Sequence, residues 1–596
     1  MSRVLFVMLH PGYVRYFETG IRALADAGHA VHVAFEVTRE KLNESEVAAR
    51  LATLTPLVTC GPAPDRTESV RDFLARGDRT ATRGGQPRRR LDAETAWASL
   101  ATIVRLMEDY LRFFDPAFAG AAALRARAEK RLPRLYRPIV RAAAWAGDGA
   151  RRALASVLDL AERVIPTSAS IDAFLSQQSP DLLLVTPLVE LGSQQVDYVK
   201  SARRLGVRSA LSVASWDNLT SKGLIRVLPD HVIVWNEAQR AEAAALHGVP
   251  PGRVVATGAQ LFDDWFEAQP SRSREEFCRQ VGLDPGRPFV LYVGSSSFIA
   301  PEEVPFVERW LSRLRRAPSP AARFAGVLVR PHPANSRQWR AFDASSFSQV
   351  SLWPPIGADP NRPDYVDSLW HCAAVVGINT SAQIEAAIVG RPVFTVRDAD
   401  FAHAQDGTLH FRHLVAGGGP VRVADTLDAH VAQLGEFLER EPESAAPERQ
   451  FVQAFVRPHG LQRAAAPIFA ATVAGLCALP RLAPQVDPWW IVACRPFARL
   501  KAYLAHLLAE DRPLWVYAMR PLLAAAVWVM AAVHGPGAGW LAFVRLGAKR
   551  ARRAVWRAWY ESSRAAEHVL GRIRKPMLRL SRYAGRVARR VGGRQA

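Results

Sequence analysis

Apolar runs of strand length recur along this chain, each broken by glycine, proline or small polar residues before a helically spaced segment begins. That alternation points to parallel sheets with helices on both faces, because parallel strands need crossover connections and are buried on both sides. Residues 3–9 form the first run, which stops at His10-Pro11-Gly12. Phe17, Ile21 and Leu24 then recur at helical spacing, Gly28 supplies a helix stop, and 30–35 reads as the second strand. The same rhythm predicts strands at 181–186, 207–213, 231–235 and 254–256. A second set follows at 289–293, 326–329, 373–377 and 392–396, closed by helices around 426–440 and 448–477. The phosphate-binding fingerprint GxGxxG is absent after the first strand, which argues against NAD or FAD held in the usual way.

Two stretches break the rhythm. Residues 61–100 are polar, with Arg83-Gly84-Gly85 and Arg88-Arg89-Arg90, and read as an exposed loop region. Residues 100–165 read as helical. Within them, 121–152 carries nine Lys+Arg against two acids. Leu124, Leu132, Leu135, Tyr136, Ile139 and Val140 fall roughly on one face there, and Pro133 and Pro138 must kink or split the helix. The expected fold is α/β, with two Rossmann-like parallel-sheet domains facing a cleft, a helical insertion at about 65–165 and a basic helical C-terminal tail. The expected boundaries are 1–250, 251–480 and 481–596.

Composition narrows the class of protein. With 596 residues, 49% hydrophobic and 22% charged, the chain is core-forming and not disordered. Its net charge of +21 is uneven: residues 481–596 hold 22 Lys+Arg against 5 Asp+Glu, leaving 55 against 51 for the rest. Cys60, Cys278, Cys372, Cys477 and Cys494 are far apart, with no metal-site or redox-motif spacing, so neither a disulfide framework nor a zinc site is expected. The first apolar run is too short for a secretory signal, and a reducing, cytoplasmic setting is expected.

Three motifs carry candidate chemistry, each at the carboxyl end of a predicted strand, where open α/β sheets bind ligands. Gly294-Ser295-Ser296-Ser297 offers small residues, amides and hydroxyls to a phosphate, although alone it also reads as a common turn. Arg330-Pro331-His332-Pro333 offers a fixed cation and a titratable donor between rigid prolines. Asn379-Thr380-Ser381 opens a helix, with a capping box expected between Thr380 and Gln383 and a dipole suited to a diphosphate. Glu385 follows Ser381 by one turn, placed for the two hydroxyls of a ribose. Convergence of the three points to a nucleotide-diphosphate site.

The order Gly294-Ser-Ser-Ser, Arg330-Pro-His-Pro and Asn379-Thr-Ser-Ala-Gln-Ile-Glu385 resembles the C-terminal domain of GT-B-fold glycosyltransferases. The Arg-x-His-Pro step is similar to the branch holding CDP-glycerol glycerophosphotransferases and bacterial surface-polysaccharide transferases. Residues 215–223, SWDNLTSKG, resemble uncharacterised bacterial members of that group. The resemblance spans roughly residues 1–60 and 170–475. It implies a sugar-nucleotide donor on the C-terminal domain, an acceptor on the N-terminal domain, Glu385 on the donor ribose and chemistry in the cleft without a metal or other cofactor. Non-hydrolysing sugar-nucleotide epimerases share this fold.

Transfer to an acceptor hydroxyl benefits from a general base and from neutralisation of the leaving diphosphate. His10, at the end of the first strand, leads as base against its reading as a turn histidine. Asp217 is the second candidate, against an Asx-type turn with Asn218 and Thr220. Arg330, His332 and the helix start at Thr380 would hold the leaving group. Asp398 and Asp400 superficially match a metal-binding pair but read as a loop.

The tail changes character. Trp556, Trp559, Tyr560, Leu570 and Ile573 recur at helical spacings among arginines, a basic amphipathic pattern suited to an anionic membrane surface. Residues 521–544 are uncharged but split by Gly535-Pro536-Gly537, which favours an interfacial hairpin over a span. Segments 121–152 and 485–596 are therefore expected to meet anionic membrane, and nucleic acid is not expected as a partner. The expected function is transfer of a sugar to a lipid-linked or surface-polysaccharide acceptor at the inner membrane face. Polyol-phosphate transfer, sugar-nucleotide epimerisation and an inactive membrane-bound scaffold are the alternatives.

Overall fold

A computed structural model describes residues 1–36, 46–47, 50–51, 53, 55–67, 93–355, 361–440 and 446–509. The chain divides into a body, 1–511, and a second unit, 512–596, outside the described residues. The expectations for Arg83–Arg90 and for the tail beyond 509 therefore fall outside the structure.

The body holds two all-parallel sheets. The first contains β1 (Arg3–Met8), β2 (Ala30–Phe35), β3 (Val58–Pro62), β4 (Leu182–Thr186), β5 (Arg208–Ser212), β6 (His231–Val234) and β7 (Val254–Ala256). Their order is β3-β2-β1-β4-β5-β6-β7. The second contains β8 (Phe289–Val293), β9 (Gly326–Arg330), β10 (Val350–Leu352), β11 (Ala374–Gly377), β12 (Val393–Val396) and β13 (Val421–Ala424), in the order β10-β9-β8-β11-β12-β13. This is a pair of Rossmann-like domains in a GT-B-like arrangement. Central strands β4, β8 and β9 are buried at every residue, which is why their sequences are apolar up to the last residue, Thr186 in β4 and Arg330 in β9. Each sheet packs an apolar layer on either face.

The 250 boundary moves. Pro251–Arg253 form a short 3-10 turn that feeds straight into β7, and β7 pairs with β6, so the first sheet runs to Ala256. The end of the second domain also differs. The single helix expected at 448–477 is two, Ala446–Phe455 and Ala465–Ala478. Its second half leaves the second domain, and Phe469, Ala470 and Val473 enter the core of the first beside Phe17 and Ile21.

The chain thus crosses between domains twice, and the crossings lie side by side. Ala259 N–H donates to Val456 O at 2.9 Å, and Asn236 Nδ2 donates to Phe455 O at 2.7 Å. Asp263 ties them: it pairs with Arg457 at 2.7 Å and accepts from the Ala465 and Ala466 amides at 3.0 and 2.7 Å, capping the returning helix.

The insertion is helical as expected, split into Ala122–Arg131 and Arg137–Trp145 around Pro133. The single apolar face is corrected: Leu124, Leu132 and Val140 are buried, whereas Leu135 and Ile139 are 42% and 49% exposed. The turn between the two helices rotates the second one, so one stripe becomes an inner and an outer face. Helix Ala93–Arg112, placed partly in the polar loop by its sequence, docks on the first domain through buried charge. Arg105 bonds Glu162 and Asp197 at 2.8–2.9 Å, and Arg66 bonds Asp197 at 2.8 Å.

Candidate functional site

Strands β9, β8 and β11 are neighbours, so the loops leaving their C-terminal ends are neighbours as well. Gly294, just past β8, donates its N–H to Arg330 O at 2.8 Å. A Cβ there would lie 2.8 Å from His332 N and 3.0 Å from Arg330 O, so only glycine permits the two loops to close together.

Arg330 ends β9 with its guanidinium buried. Nη1 donates to Ser368 Oγ at 3.0 Å and to Asp364 O at 3.4 Å, and the group lies 5.2 Å from the Tyr365 ring centroid. These bonded atoms are neutral, and burial pushes Arg330 below its ordinary value against the smaller opposing effects of Tyr365 and Asp364. A desolvated guanidinium bonded to neutral groups favours an incoming anion.

Tyr365, on helix Arg362–His371, completes the link, because its hydroxyl donates to Glu385 Oε2 at 2.5 Å. Burial pushes Glu385 up to about 7, against smaller opposing effects of that hydrogen bond and of the Arg362 and Arg15 cations. His332 Nδ1 accepts from Ala334 N–H at 3.1 Å, which leaves the proton of the neutral ring on Nε2. Burial, then the positive charge of Arg15, holds His332 below its ordinary value. Arg15 belongs to the turn Pro11–Tyr16 after β1. Its positive charge thus acts on both His332 and Glu385.

The other predicted residues are distributed differently. Ser295 is buried, and its amide donates to both oxygens of Glu303 at 3.0 Å, so a structural carboxylate holds the place expected for a phosphate. Ser296 O accepts the Ile299 and Ala300 amides, which curls the loop. The Thr380 capping box is half made. Thr380 N–H donates to Gln383 Oε1 at 3.1 Å, but Thr380 Oγ1 accepts from Ala382 N–H at 3.4 Å. Ser381 precedes the helix Ala382–Ile388 without capping it through its side chain. The helix begins one residue later than expected, with Ser381 as its N-cap, so Thr380 stands one position before the cap.

Asn379 belongs to a second cluster. Its Nδ2 donates to Ala404 O at 2.5 Å and lies 3.5 Å from His410 Nε2, while His410 packs edge-on against Trp216 at 4.8 Å. Burial takes His410 down to about 4, opposed by neighbouring Asp217. Asp217, the residue before helix Asn218–Ser221, accepts from Ser221 Oγ at the end of that helix at 2.8 Å. Burial alone would raise Asp217, but His410, Lys222 and the Ser215 and Ser221 hydroxyls hold it below its ordinary value. His10, half-buried two residues past β1, packs against Tyr13 with centroids 4.8 Å apart and ring planes tilted by 58°. The predicted residues therefore form two groups, one around Arg330, His332 and Glu385 and one joining Asp217 to Asn379 through His410.

Asp398 and Asp400 pair with Arg309, and Asp398 caps the 3-10 turn Ala399–Phe401. No group of metal-ligand side chains occurs among the described residues. An open pocket of about 520 Å³ lies at the opposite end of the second sheet, lined in part by Arg274, Arg287 and Arg391. Arg274 and Arg391 there bond main-chain carbonyls of Pro285, Arg287 and Trp370.

Sequence reasoning missed Tyr365, Arg15 and His410. Arg15 was within reach of the strand-end rule that selected His10, whereas Tyr365 carries no local signal.

No protein-family model matches the chain, and neither does any curated protein. Among solved structures it is similar to the UDP-GlcNAc 2-epimerase of Methanocaldococcus jannaschii, with 11% identity, a TM-score of 0.44, and 80% of this chain and 99% of that one covered. It is also similar to a glycosyltransferase of Rickettsia africae, with 8% identity, a TM-score of 0.43, and 80% and 97% covered. The UDP-GlcNAc 2-epimerase of Neisseria meningitidis matches with 11% identity, a TM-score of 0.42, and 79% and 100% covered. The fold assignment rests on the strand order and register described above.

Proposed function

We propose that the protein is a metal-independent glycosyltransferase that moves a sugar from a nucleotide-diphosphate donor to a lipid-linked or surface-polysaccharide acceptor. It would work at the cytoplasmic face of a membrane, with basic segments 121–152 and 485–596 toward anionic lipid. The observation that carries the donor site is the chain Arg330–Tyr365–Glu385 beside Gly294 and His332, at the ends of three adjacent strands. Glu385 accepts the ribose hydroxyls. Arg330 and the Nε2–H of His332 meet the diphosphate, and Arg15 adds positive charge from the facing domain. The acceptor oxygen bonds to the anomeric carbon as the bond to the diphosphate breaks. His10 takes the acceptor proton, since Asp217 is held below its ordinary value and is thereby a poorer proton acceptor.

Turnover with a panel of nucleotide sugars and lipid-linked acceptors tests the reading. Glu385→Ala and His332→Ala are each expected to lower kcat/KM by tenfold or more. Unchanged activity in both overturns the site, and conversion of the donor without an acceptor marks an epimerase instead.

A further inference from the structure

Large apolar side chains left exposed on the body are not scattered. Eleven of the fourteen found among the described residues fall in two segments. One contains Leu135, Ile139, Trp145, Val157 and Leu160, with Trp145 91% exposed. The other runs from Leu479 to Phe497 and includes Trp489, 81% exposed, and Phe497, 76% exposed. The helices that carry them touch. Asp148–Val164 packs against both Arg137–Trp145 and Trp489–Ala509, and Arg495 Nε of the last donates to Val164 O at 3.3 Å. Their apolar residues form stripes on the outer surface: Ala153, Val157 and Leu160 on one helix, Trp489, Ala493 and Phe497 on another. Exposed arginines flank these stripes, among them Arg131, Arg134, Arg152 and Arg499. Residues 121–163 hold ten Lys+Arg against four Asp+Glu.

We infer that the outer faces of helices Arg137–Trp145, Asp148–Val164 and Trp489–Ala509 form one docking surface for an anionic bilayer, with Trp145, Val157 and Phe497 entering the headgroup–acyl boundary. This deepens the membrane part of the reading above through residues of the folded body, and it is independent of the proposed chemistry. Protruding tryptophans and aliphatics in a basic rim match the amphipathic profile of interfacial helices. The rim selects among occupants. Residues 512–596 carry 18 Lys+Arg against 2 Asp+Glu, so their charge opposes the rim, as does the rim of a second copy, whereas anionic lipid complements it. No helix among the described residues is long and apolar enough to cross a membrane.

The test labels the full chain with an environment-sensitive fluorophore at Val157→Cys in a Cys494→Ser background, and separately at Leu160→Cys. Phosphatidylglycerol-containing vesicles are expected to shift the emission to the blue, brominated acyl chains to quench it, and phosphatidylcholine vesicles alone to do neither. The triple change Trp145→Ser, Trp489→Ser, Phe497→Ser is expected to weaken partitioning onto the anionic vesicles at least tenfold. A label that stays in water while the chain sediments with vesicles overturns the surface, because another segment then makes the contact. Blue emission before vesicles are added, whether or not it depends on protein concentration, also overturns it by showing the patch covered by the chain or by a second copy. Nucleotide binding and turnover are read separately, so failure of the surface and failure of the donor site are distinguishable.

Discussion

Glu385 is a carboxyl for whose charge burial and a phenol compete. Burial favours the neutral acid, while the Tyr365 hydroxyl and the Arg362 and Arg15 cations favour the carboxylate, and the balance falls at about 7. The ionised form offers both oxygens as charged acceptors to the two hydroxyls of a ribose, whereas the acid turns one oxygen into a donor. Donor-nucleotide affinity is therefore expected to rise roughly tenfold between pH 6 and 8, following the ionised fraction of a group centred near 7. Calorimetric titration across that range checks this, and Glu385→Gln should flatten the profile. Tyr365→Phe removes a hydrogen bond to the charged form, so its midpoint should move upward. Gly294, Arg330 and Glu385 were legible in the sequence because strand ends in an open parallel sheet gather by topology, whatever the residues between them. Tyr365 was not legible, since an aromatic on a helix usually packs in a core. Ser295 misled for a related reason: an amide beside glycine looks available until Glu303, eight residues on, is seen bonded to it.

At the scale of elements, the insertion helix Ala93–Arg112 is held by charge. Arg105 is buried between Glu162 and Asp197, with Arg66 and Lys200 bonded to the same carboxylates. Burial alone would raise Glu162, yet Arg105 and Lys200 hold it down at about 2. The stability Glu162 adds is fully present above its ordinary value of 4.5 and is lost as pH falls through about 2. Arg105→Met leaves two buried carboxylates short of a cation and should cost about 3–5 kcal/mol in urea unfolding near pH 7. The deficit should shrink as acid protonates the carboxylates. Strands were easier to read than this network. Fully buried β4, β8 and β9 announce themselves as apolar runs, whereas β3, which ends in Gly61-Pro62, and the three-residue edge strand β10 look like turns. Long-range ion pairs leave no periodic trace at all.

At the scale of the whole molecule, the paired crossings join the two domains along one seam. Gly258 has φ +93°, and a Cβ there would lie 2.7 Å from Ala465 Cβ and 3.1 Å from Val456 O. Gly258→Ala combines backbone strain with a clash against main chain and should cost roughly 2 kcal/mol or more, read as a lowered Tm. The domain pair was foreseeable from two successive runs of strands. The return of Ala465–Ala478 to the first domain was not, because an apolar helix serves either core equally well. Two tethers stitched together at Ala259 and Val456, with Glu242 of the first domain paired to His413 of the second at 2.6 Å, leave the halves of the body little freedom to slide or come apart.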